Sequence, residues 1–297
     1  MADGGASEAA GRPEFNLREA LQELVRRGGS DLHLKVGRPP VLEQVALSPR
    51  GLVLVTGVTG SGKSTTLAAM VRHLNERRAV NIVTVEDPIE FLHRDGRAII
   101  SQREVGSDTH SFHDALRHVL RQDPDVILLG EIRDRPSMET VLKAADTGHL
   151  VLSTLHTTDA AQTIGRIISF FPPHQHQEIR GMLANALRAV VSLRLIPRAD
   201  RPGRVPAAEV LVNTAAIAQL IRTGDESQSI PDLIADGQVQ YGMQTFDQSL
   251  LDLYARGWIS YEWAMHYASN PSEFALRVSG VQPGEQEMDW SGAHGAA

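Results

Sequence analysis

The feature of this sequence that most constrains its fold is the glycine-rich segment GVTGSGKS, which runs from Gly57 to Ser64. The segment fits the pattern G-x-x-x-x-G-K-[ST], and it stands between a short apolar run, Leu52 to Val55, and a stretch with helical spacing, Lys63 to Arg77. Glycines allow backbone N–H groups to approach phosphate oxygens, and the N-terminus of a following helix favours an anion. The sequence therefore predicts a strand, a phosphate-binding loop and a helix in succession.

The same chemistry gives individual residues of this loop a role. Lys63 is expected to reach the β- and γ-phosphates of a nucleotide, and the Ser64 hydroxyl is expected to ligate Mg²⁺. A flexible glycine-rich loop that contains a lysine by coincidence would not explain the strand and the helix on either side. ATP and Mg²⁺ are therefore the predicted cofactors. The predicted nucleotide-contacting residues are Gly57, Thr59, Gly60, Ser61, Gly62, Lys63, Ser64 and Thr65.

Short apolar segments alternate with helical ones through the middle of the chain. This alternation predicts an α/β core, a mostly parallel sheet with helices on both faces. The predicted strands are Leu52–Val55, Asn81–Val85, Ala98–Ser101, Val126–Leu129 and Leu150–Thr154, and the predicted helices are Lys63–Arg77, Phe112–Arg121 and Pro136–Thr147. After Pro172 apolar residues recur at helical spacing as far as Val190, a strand-like stretch covers Val205 to Val212, and the remainder is predicted to be rich in helix.

The two ends of the chain lack this regular alternation. Residues 1–14 and 276–297 are predicted to be disordered tails. Apolar spacing predicts a helix from Phe15 to Arg27, and alternation predicts a strand from Ser30 to Val36. We therefore expect a short N-terminal α+β segment over residues 15–47 and a nucleotide-binding domain with its C-terminal helices over residues 48–275.

Composition and charge exclude several classes of function. The chain of 297 residues contains no cysteine, which excludes disulfides, thiolate metal sites and thiol catalysis. Its apolar runs are far shorter than the roughly 20 residues of a membrane-spanning helix, so no transmembrane segment and a cytoplasmic location are expected. A formal net charge of −7 argues against a broad electrostatic contact with nucleic acid, so direct binding of nucleic acid is not expected.

Two predicted strands end in carboxylates. Glu131 follows the strand Val126 to Leu129, with Gly130 where many P-loop enzymes have an aspartate, and is expected to hold Mg²⁺ largely through water. Glu86 ends another strand and begins the acidic segment EDPIE, where it could polarise a water molecule aimed at the γ-phosphate. The alternative interpretation of Glu131 is a capping or salt-bridging surface glutamate. The alternative for the segment that begins at Glu86 is a solvated acidic turn.

His149 and His156 stand at opposite ends of the predicted strand Leu150–Thr154. His156, at the carboxyl end, is placed to sense a γ-phosphate. The spacing of the two histidines does not suit a metal pair on one strand face, and no third ligand is evident. An ordinary structural role is the alternative for each of them.

Four segments together, GVTGSGKST, VEDPIEF, DPDVILLGEIRD and TGHLVLSTLHTTDA, resemble the Walker A, Asp box, Walker B and His box motifs of the secretion ATPases. These enzymes serve type II secretion, type IV pilus and type IV secretion machines. Further segments, including SQREVGSDT, TIGRIISFFPPHQ and YGMQTFDQSLLDLYARGWIS, resemble the PilT-type retraction ATPases from Arg50 to about Asn270. The cysteine-based zinc motif usual in assembly ATPases is missing, which favours retraction over extension.

The resemblance implies roles for particular residues. Glu86 matches the catalytic Asp-box glutamate and Glu131 the Walker B glutamate, while His149 and His156 match the His box. Four arginines lie in motifs where the family's guanidinium groups meet nucleotide or a neighbouring subunit, although ordinary surface arginines remain the alternative. These arginines are Arg103, Arg117, Arg121 and Arg133. The predicted catalytic set is Glu86, Glu131, His156 and Arg103, and the predicted metal ligands are Ser64 and Glu131.

The resemblance also implies an assembly and a partner. It implies a homohexameric ring of protomers, each with an N-terminal PAS-like domain and a C-terminal RecA-like domain. Such a ring would act on an inner-membrane platform protein of the pilus from the cytoplasmic side, and would power pilus retraction in twitching motility.

Two departures from the family pattern bear on these expectations. Only Lys35 to Arg50 separate the segments SDLHL and GLVLVTG, so most of the PAS-like domain is expected to be missing and residues 15–47 to be its remnant. The family's retraction motif AIRNLIR is matched by Ala216 to Arg222, in which Ala218 and Gln219 replace an Arg-Asn pair.

Two other classes of protein remain as alternatives. The first is a nucleotide-binding but catalytically impaired subunit or regulatory partner of a pilus or secretion ATPase, which the short N-terminal region favours. Lys63, Glu86 and Glu131 are all present, however, and they favour an enzyme. The second is a P-loop protein acting on nucleic acid, which is weakened by the net charge and by the lack of a basic or aromatic-interleaved tract.

Overall fold

The computed structural model describes residues 41–225 and 229–280. The predicted helix Phe15–Arg27, the predicted strand Ser30–Val36 and the predicted tail over residues 1–14 lie outside the described residues. Residues 281–297 of the predicted C-terminal tail lie outside them as well.

A single seven-stranded sheet forms the centre of the fold, in the order β3-β2-β4-β5-β1-β6-β7. Neighbouring strands run parallel, except that β7 returns antiparallel to β6. The strands are β1 (Gly51–Thr56), β2 (Asn81–Glu86), β3 (Ile99–Glu104), β4 (Val126–Leu129), β5 (Leu150–Leu155), β6 (Leu187–Pro197) and β7 (Arg204–Val212). The predicted mostly parallel sheet is confirmed.

Helices cover both faces of this sheet. The first six are α1 (Val41–Ala46), α2 (Lys63–Arg77), α3 (Phe112–Val119), α4 (Arg135–Asp146), α5 (Ala160–Ser169) and α6 (His176–Ala186), with a 3₁₀ turn at Pro173–Gln175. The later ones are α7 (Ala215–Thr223), α8 (Ile230–Asp236), α9 (Gln238–Tyr241), α10 (Phe246–Ala255), α11 (Tyr261–Tyr267) and α12 (Pro271–Val278). None of the helices in the described part of the chain combines the length and the apolar character needed to cross a bilayer.

The central strands are apolar on both sides because both of their faces are covered. In β1, Leu52 and Leu54 pack into the core on one face of the sheet, while Val53 and Val55 pack into the core on the other face. Side chains alternate between faces along a strand, so a strand buried on both sides must be apolar at every position. This explains why the segment GLVLVT is buried throughout.

The helices begin at polar residues that the sequence supplies. Ser111, Asp134 and Asp159 are the N-caps of α3, α4 and α5, and each side chain accepts a hydrogen bond from a backbone N–H of the first turn. Such caps satisfy amides that have no partner within the helix. They fix where each helix begins relative to the strand before it.

Helix α1 and the C-terminal helices pack further apolar side chains around the sheet. Helix α1 was not predicted; it buries Leu42 and Val45 in the same core cluster as helix α2. The C-terminal helices α10, α11 and α12 form a separate cluster around Phe246 and Phe274, packed against the ends of β6 and β7. Helix α12 ends at Val278, three residues beyond the expected end of the domain at 275.

The predicted end of the helix after Pro172 is wrong. Helical spacing predicted a helix as far as Val190, but α6 ends at Ala186 and the chain enters β6 at Leu187. Leu187 has extended dihedral angles, φ −58° and ψ 138°, and pairs with Leu52 of β1. Hydrogen bonding to the central strand therefore outweighs the local apolar period at these residues.

The sheet also contains a buried carboxylate. Glu209 of β7 is only 6% exposed, and its Oε1 accepts a hydrogen bond of 2.7 Å from the backbone N–H of Ala160. Burial raises the pKa of Glu209 to about 7, and the charge of Asp159 adds to the shift, while the hydrogen bond and the charge of Arg194 oppose it. The folded protein therefore holds a proton at Glu209 at a pH where an exposed glutamate is ionised.

Replacing Glu209 with Gln is expected to change how stability depends on pH. Because the folded pKa of about 7 lies above the ordinary glutamate pKa of 4.5, the proton at Glu209 stabilises the fold below pH 4.5, and this contribution is lost as the pH rises through 7. Between pH 4.5 and 8, the free energy of unfolding of the wild type should fall by about 3 kcal/mol more than that of Glu209→Gln, which does not titrate. Urea denaturation of both proteins between pH 4.5 and 8 measures the difference, and parallel pH profiles would contradict it.

Candidate active site

The glycine-rich loop connects the carboxyl end of β1 to the first turn of α2. Gly57 and Gly60 have φ values of +140° and +76°, a region of backbone conformation that favours glycine. Lys63, the first residue of α2, turns back over the loop, and its Nζ donates hydrogen bonds to the carbonyl oxygens of Gly57 and Val58 at 2.9 and 3.1 Å. The loop is therefore closed by its own lysine.

Gly57 also allows a close approach that no other residue type would permit. A Cβ at this position would lie 2.5 Å from Ser61 Oγ and 2.6 Å from the carbonyl oxygen of Leu193. Gly60 differs, because a Cβ there would meet no atom within 4 Å. The two glycines therefore serve different purposes, close packing at 57 and backbone conformation at 60.

A cavity of about 750 Å³ opens above the loop, along the carboxyl edge of the sheet. In open α/β sheets ligands bind at this edge, because the loops that follow parallel strands gather there. The glycine-rich loop follows β1, Glu86 ends β2, Glu131 lies just beyond β4, and His156 comes directly after β5. Glu86, Glu131 and His156 all line the cavity together with the loop.

Glu86 is held through one of its two carboxylate oxygens. Its Oε1 accepts hydrogen bonds from Thr84 Oγ1 at 2.7 Å and from Gln102 Nε2 at 3.2 Å. Gln102 is itself fixed, because its Nε2 also donates to the carbonyl oxygen of Phe91, at 2.9 Å. Oε2 of Glu86 accepts no hydrogen bond from any residue that the structure describes, so one oxygen is restrained and the other is available.

Glu131 has a different environment, because both of its oxygens are engaged. Oε1 lies 3.1 Å from Nε2 of His156, and Oε2 forms a salt bridge of 3.0 Å with Arg133. Arg133 also reaches Asp87, at 3.4 Å. The three strand ends after β2, β4 and β5 are thus joined by polar contacts that run through Glu131 and Arg133.

Burial changes the titration of two bases that line the cavity. It lowers the pKa of the Lys63 ammonium, an effect that the carboxylates of Glu131 and Glu90 oppose. Burial also lowers the pKa of His93, on the loop after β2. His93 is therefore neutral at pH 7, while the positive charge of Lys63 is balanced by carboxylates on the same cavity wall.

Most of the predicted nucleotide-contacting residues line the cavity. These are Thr59, Gly60, Gly62, Lys63, Ser64 and Thr65. Gly57 and Ser61 do not line it: Gly57 packs beneath the loop, and Ser61 is 2% exposed, with its backbone N–H bonded to the carbonyl oxygen of Val58. Their contribution is to the shape of the loop.

The predicted arginines and His149 lie in different places. Arg103 follows Gln102 on the edge strand β3, and because neighbouring side chains alternate, it lies on the face opposite Glu86. Arg117 and Arg121 are exposed on and just after α3, and neither lines the cavity. His149 precedes β5 at the other edge of the sheet, where its Nδ1 lies 3.0 Å from the carbonyl oxygen of Ala144.

Oxygen donors suited to Mg²⁺ gather in the cavity. The hydroxyl-bearing Ser64 and the carboxylates of Glu86 and Glu131 all line it. Within residues 41–225 and 229–280, no group of three or more His, Cys, Asp or Glu side chains is placed to hold a metal ion by itself. Mg²⁺ is commonly bound by one or two carboxylates together with substrate phosphates and water, so these residues fit a metal that binds with a nucleotide.

The structure adds three residues that the sequence did not reveal. Thr84 and Gln102 fix Glu86, and Arg204, at the start of β7, lines the cavity beside the loop. The role of Thr84 could have been inferred from the sequence, because it stands two residues before Glu86 and so lies on the same face of the strand. No local sequence pattern indicated the roles of Gln102 and Arg204. Only the pairing of β2 with β3 brings Gln102 near Glu86, and only the pairing of β6 with β7 brings Arg204 to the cavity.

A glycine-rich loop of this pattern between a parallel strand and a helix, with carboxylates at the neighbouring strand ends, is typical of a class of α/β proteins that bind nucleotides. Within that class, the chain belongs to the family described as Type II/IV secretion system protein, which matches residues 14–223.

Two similar relatives are named for twitching motility and for type IV pili. The chain is 48% identical to a twitching motility protein of Neisseria gonorrhoeae over 238 aligned residues. This alignment covers 80% of this chain and 63% of the relative. The chain is 44% identical to the type IV pilus ATPase PilU of Pseudomonas aeruginosa over 240 aligned residues, and this alignment covers 81% of this chain and 62% of PilU. The chain therefore spans less than two thirds of the length of either relative.

A solved structure shares the fold. The pilus retraction motor PilT with bound ADP superimposes with a TM-score of 0.72 at 42% sequence identity, over 81% of this chain and 70% of PilT. The α/β fold predicted from the sequence and its resemblance to the PilT-type proteins are confirmed.

The two loop glycines are expected to respond differently to an added methyl group. Gly57→Ala places a Cβ against Ser61 and Leu193 in a strained backbone conformation, and should lower the free energy of unfolding by about 2 to 4 kcal/mol. Gly60→Ala meets no neighbouring atom and should cost only about 1 kcal/mol, from its positive φ. Urea denaturation of both variants tests this contrast, and equal losses would show that the close approach at Gly57 is absent.

Proposed function

We propose that this protein is an ATP-hydrolysing motor subunit that powers retraction of type IV pili. ATP would bind with Mg²⁺ at the glycine-rich loop, and Glu86 would polarise the water that attacks the γ-phosphate. The chain would act as part of a homohexameric ring at the cytoplasmic face of the inner membrane, on a platform protein of the pilus machine.

The observation that most supports ATP hydrolysis is the difference between the two strand-end glutamates. Glu86 has one oxygen restrained by Thr84 and Gln102 and one without a hydrogen bond from the described residues, in a cavity that also contains the phosphate-binding loop. A general base needs this combination of fixed orientation and a free lone pair. Glu131, with His156 and Arg133 on its two oxygens, is better suited to hold the surrounding charges in place.

The remaining residues supply charge and shape for phosphoryl transfer. Such reactions depend mainly on positioning and on stabilisation of charge that develops on the transferred phosphate. The first turn of α2 and the ammonium of Lys63 provide positive charge at the loop. When bound, Mg²⁺ would add charge stabilisation at the phosphates, with Ser64 and Glu131 as its protein-side ligands, largely through water. His156, beside Glu131, is placed to respond to the charge of the γ-phosphate.

The direction of the motor is proposed from the relatives. The solved neighbour is a pilus retraction motor and a sequence relative is a twitching motility protein, while PilU is nearly as similar to this chain. The sequence has no cysteine and so no cysteine-based zinc motif of the assembly type. These observations support retraction rather than extension.

The hexamer, the platform partner and the peripheral location rest on resemblance to the family. The role proposed for Arg103 belongs with them: it lies on the edge strand β3 away from its own cavity, so any contact with nucleotide would be made across a subunit interface. The replacement of Arg-Asn by Ala218 and Gln219 changes two sides of α7, because Ala218 packs partly against the core and Gln219 is exposed.

Replacing Glu86 with Gln is expected to abolish turnover without abolishing binding. Loss of the general base should lower kcat for ATP hydrolysis by about 100-fold, because the amide cannot take up a proton from water. Affinity for ATP should be retained, since the loop and Lys63 are unchanged. Steady-state hydrolysis and equilibrium binding of a fluorescent ATP analogue measure the two effects, with light scattering to give the mass of the assembly.

Glu139→Gln is the matched control, because this partly exposed glutamate on α4 lies outside the cavity, where it forms a salt bridge with Lys143. It should hydrolyse ATP at the wild-type rate. Nucleotide binding without turnover in the wild type itself would instead identify a catalytically impaired subunit. Wild-type turnover by Glu86→Gln would assign the base to another residue.

Thr84→Val is expected to impair Glu86 without removing it. Valine has the shape of threonine but cannot donate a hydrogen bond, so Oε1 of Glu86 loses its shorter contact. We expect kcat to fall by about five- to tenfold, with little change in KM for ATP. Thr140→Val, on α4 and outside the cavity, is the control. If Thr84→Val keeps the full rate, the orientation of Glu86 does not depend on this hydroxyl.

A further inference from the structure

The segment that carries His156 is short and tied to helix α5. Only residues 156–159 connect Leu155, the last residue of β5, to Ala160, the first residue of α5. Thr163 Oγ1, in α5, donates its hydrogen to the carbonyl oxygen of Asp159 at 2.7 Å. Thr163 Oγ1 also lies 2.6 Å from Thr157 Oγ1, and because its own hydrogen is already used, the hydroxyl of Thr157 is the donor in this second bond. The position of α5 therefore determines the position of this segment.

Glu209 holds the beginning of α5 from a strand on the far side of the sheet. Three strand-to-strand steps separate β7 from β5 in the sheet order, yet Oε1 of Glu209 accepts the backbone N–H of Ala160 at 2.7 Å. That N–H lies in the first turn of the helix and has no partner within it. Ala160 is fully buried, and Glu209 is 6% exposed, so water has little access to replace this contact.

The charges around Glu209 connect it to the C-terminal helices. Arg194 of β6 offsets its negative charge, and Asp159 at the N-cap of α5 and Asp247 of α10 oppose its ionisation. The guanidinium of Arg194 donates to the carbonyl oxygen of Tyr267 at 2.6 Å and lies 3.7 Å from the centre of the Phe246 ring. The positive charge that acts on Glu209 is thus fixed by contacts with helices α10 and α11.

We propose that Glu209 is a positioning residue of the candidate active site: Oε1 of its carboxyl group accepts the first amide of α5 and thereby fixes the segment that places His156 beside Glu131. This inference rests on the proposed ATPase function. Glu209 touches neither nucleotide nor water in the reaction, and acts through Ala160 and His156.

Two substitutions separate the acceptor from the rest of the side chain. Glu209→Gln keeps a carbonyl oxygen at the same distance, so the hydrogen bond to Ala160 is retained. Glu209→Met has a similar length but no acceptor, which leaves the N–H of Ala160 buried and unpaired. If the methionine variant does not fold, as judged by circular dichroism, Glu209→Ala takes its place.

ATP hydrolysis by the full chain tests the proposal. We expect Glu209→Met to lower kcat by about tenfold with KM for ATP nearly unchanged, which marks loss of an interaction made only in the transition state. Glu209→Gln should keep kcat within about twofold of the wild type. In a His156→Ala background, Glu209→Met should have almost no further effect, because the residue it positions is already gone.

Three kinetic results would each overturn the proposal. These are a wild-type kcat in the methionine variant, an equal loss of kcat in the glutamine variant, and an undiminished effect of Glu209→Met after His156→Ala. Hydrogen exchange at the Ala160 amide gives a readout that does not need turnover, and it should be faster in the methionine variant but not in the glutamine variant. If the wild type hydrolyses no ATP, the proposed function fails, while unchanged exchange at Ala160 in the methionine variant would refute the role of Glu209 separately.

Discussion

The parallel pairing of β1 with β5 on one side and β6 on the other is the constraint on which the rest of the structure depends. Because these strands and β2 and β4 all point the same way, their carboxyl ends share one edge. The glycine-rich loop, Glu86, Glu131 and His156 come from separate parts of the chain, and this edge brings them to one cavity. Apolar side chains on both faces of the central strands hold the edge in place.

Surroundings, rather than residue type, distinguish the two glutamates of the site. Glu86 is restrained at one oxygen by neutral donors, whereas Glu131 is engaged at both oxygens by His156 and Arg133. A carboxylate paired on both sides stabilises neighbouring charge, and one with a free oxygen can take up a proton. The proposed division of labour between base and charge-holding residue follows from this difference.

Strands β6 and β7 extend the sheet and connect the site to the C-terminal helices. The sequence around Leu187 favoured a continued helix, but pairing with β1 makes it a strand, because the hydrogen bonds of the central sheet outweigh a local apolar period. The antiparallel return of β7 then places Arg204 at the cavity and Glu209 beneath α5. Neither position could be inferred from neighbours in the sequence.

The sequence by itself determined the elements whose signals are local: the loop from Gly57 to Ser64, helix α2 with its bounds Lys63–Arg77, the apolar strands, and the carboxylates at their ends. Backbone conformation, capping and burial on both faces depend on nearby residues, so they can be inferred from a short stretch of chain. Only the tertiary structure decided that Gln102 supports Glu86, that Arg103 lies on the opposite face, and that Glu209 holds α5. Those outcomes depend on strand order and register, which are set by contacts between residues far apart in the chain.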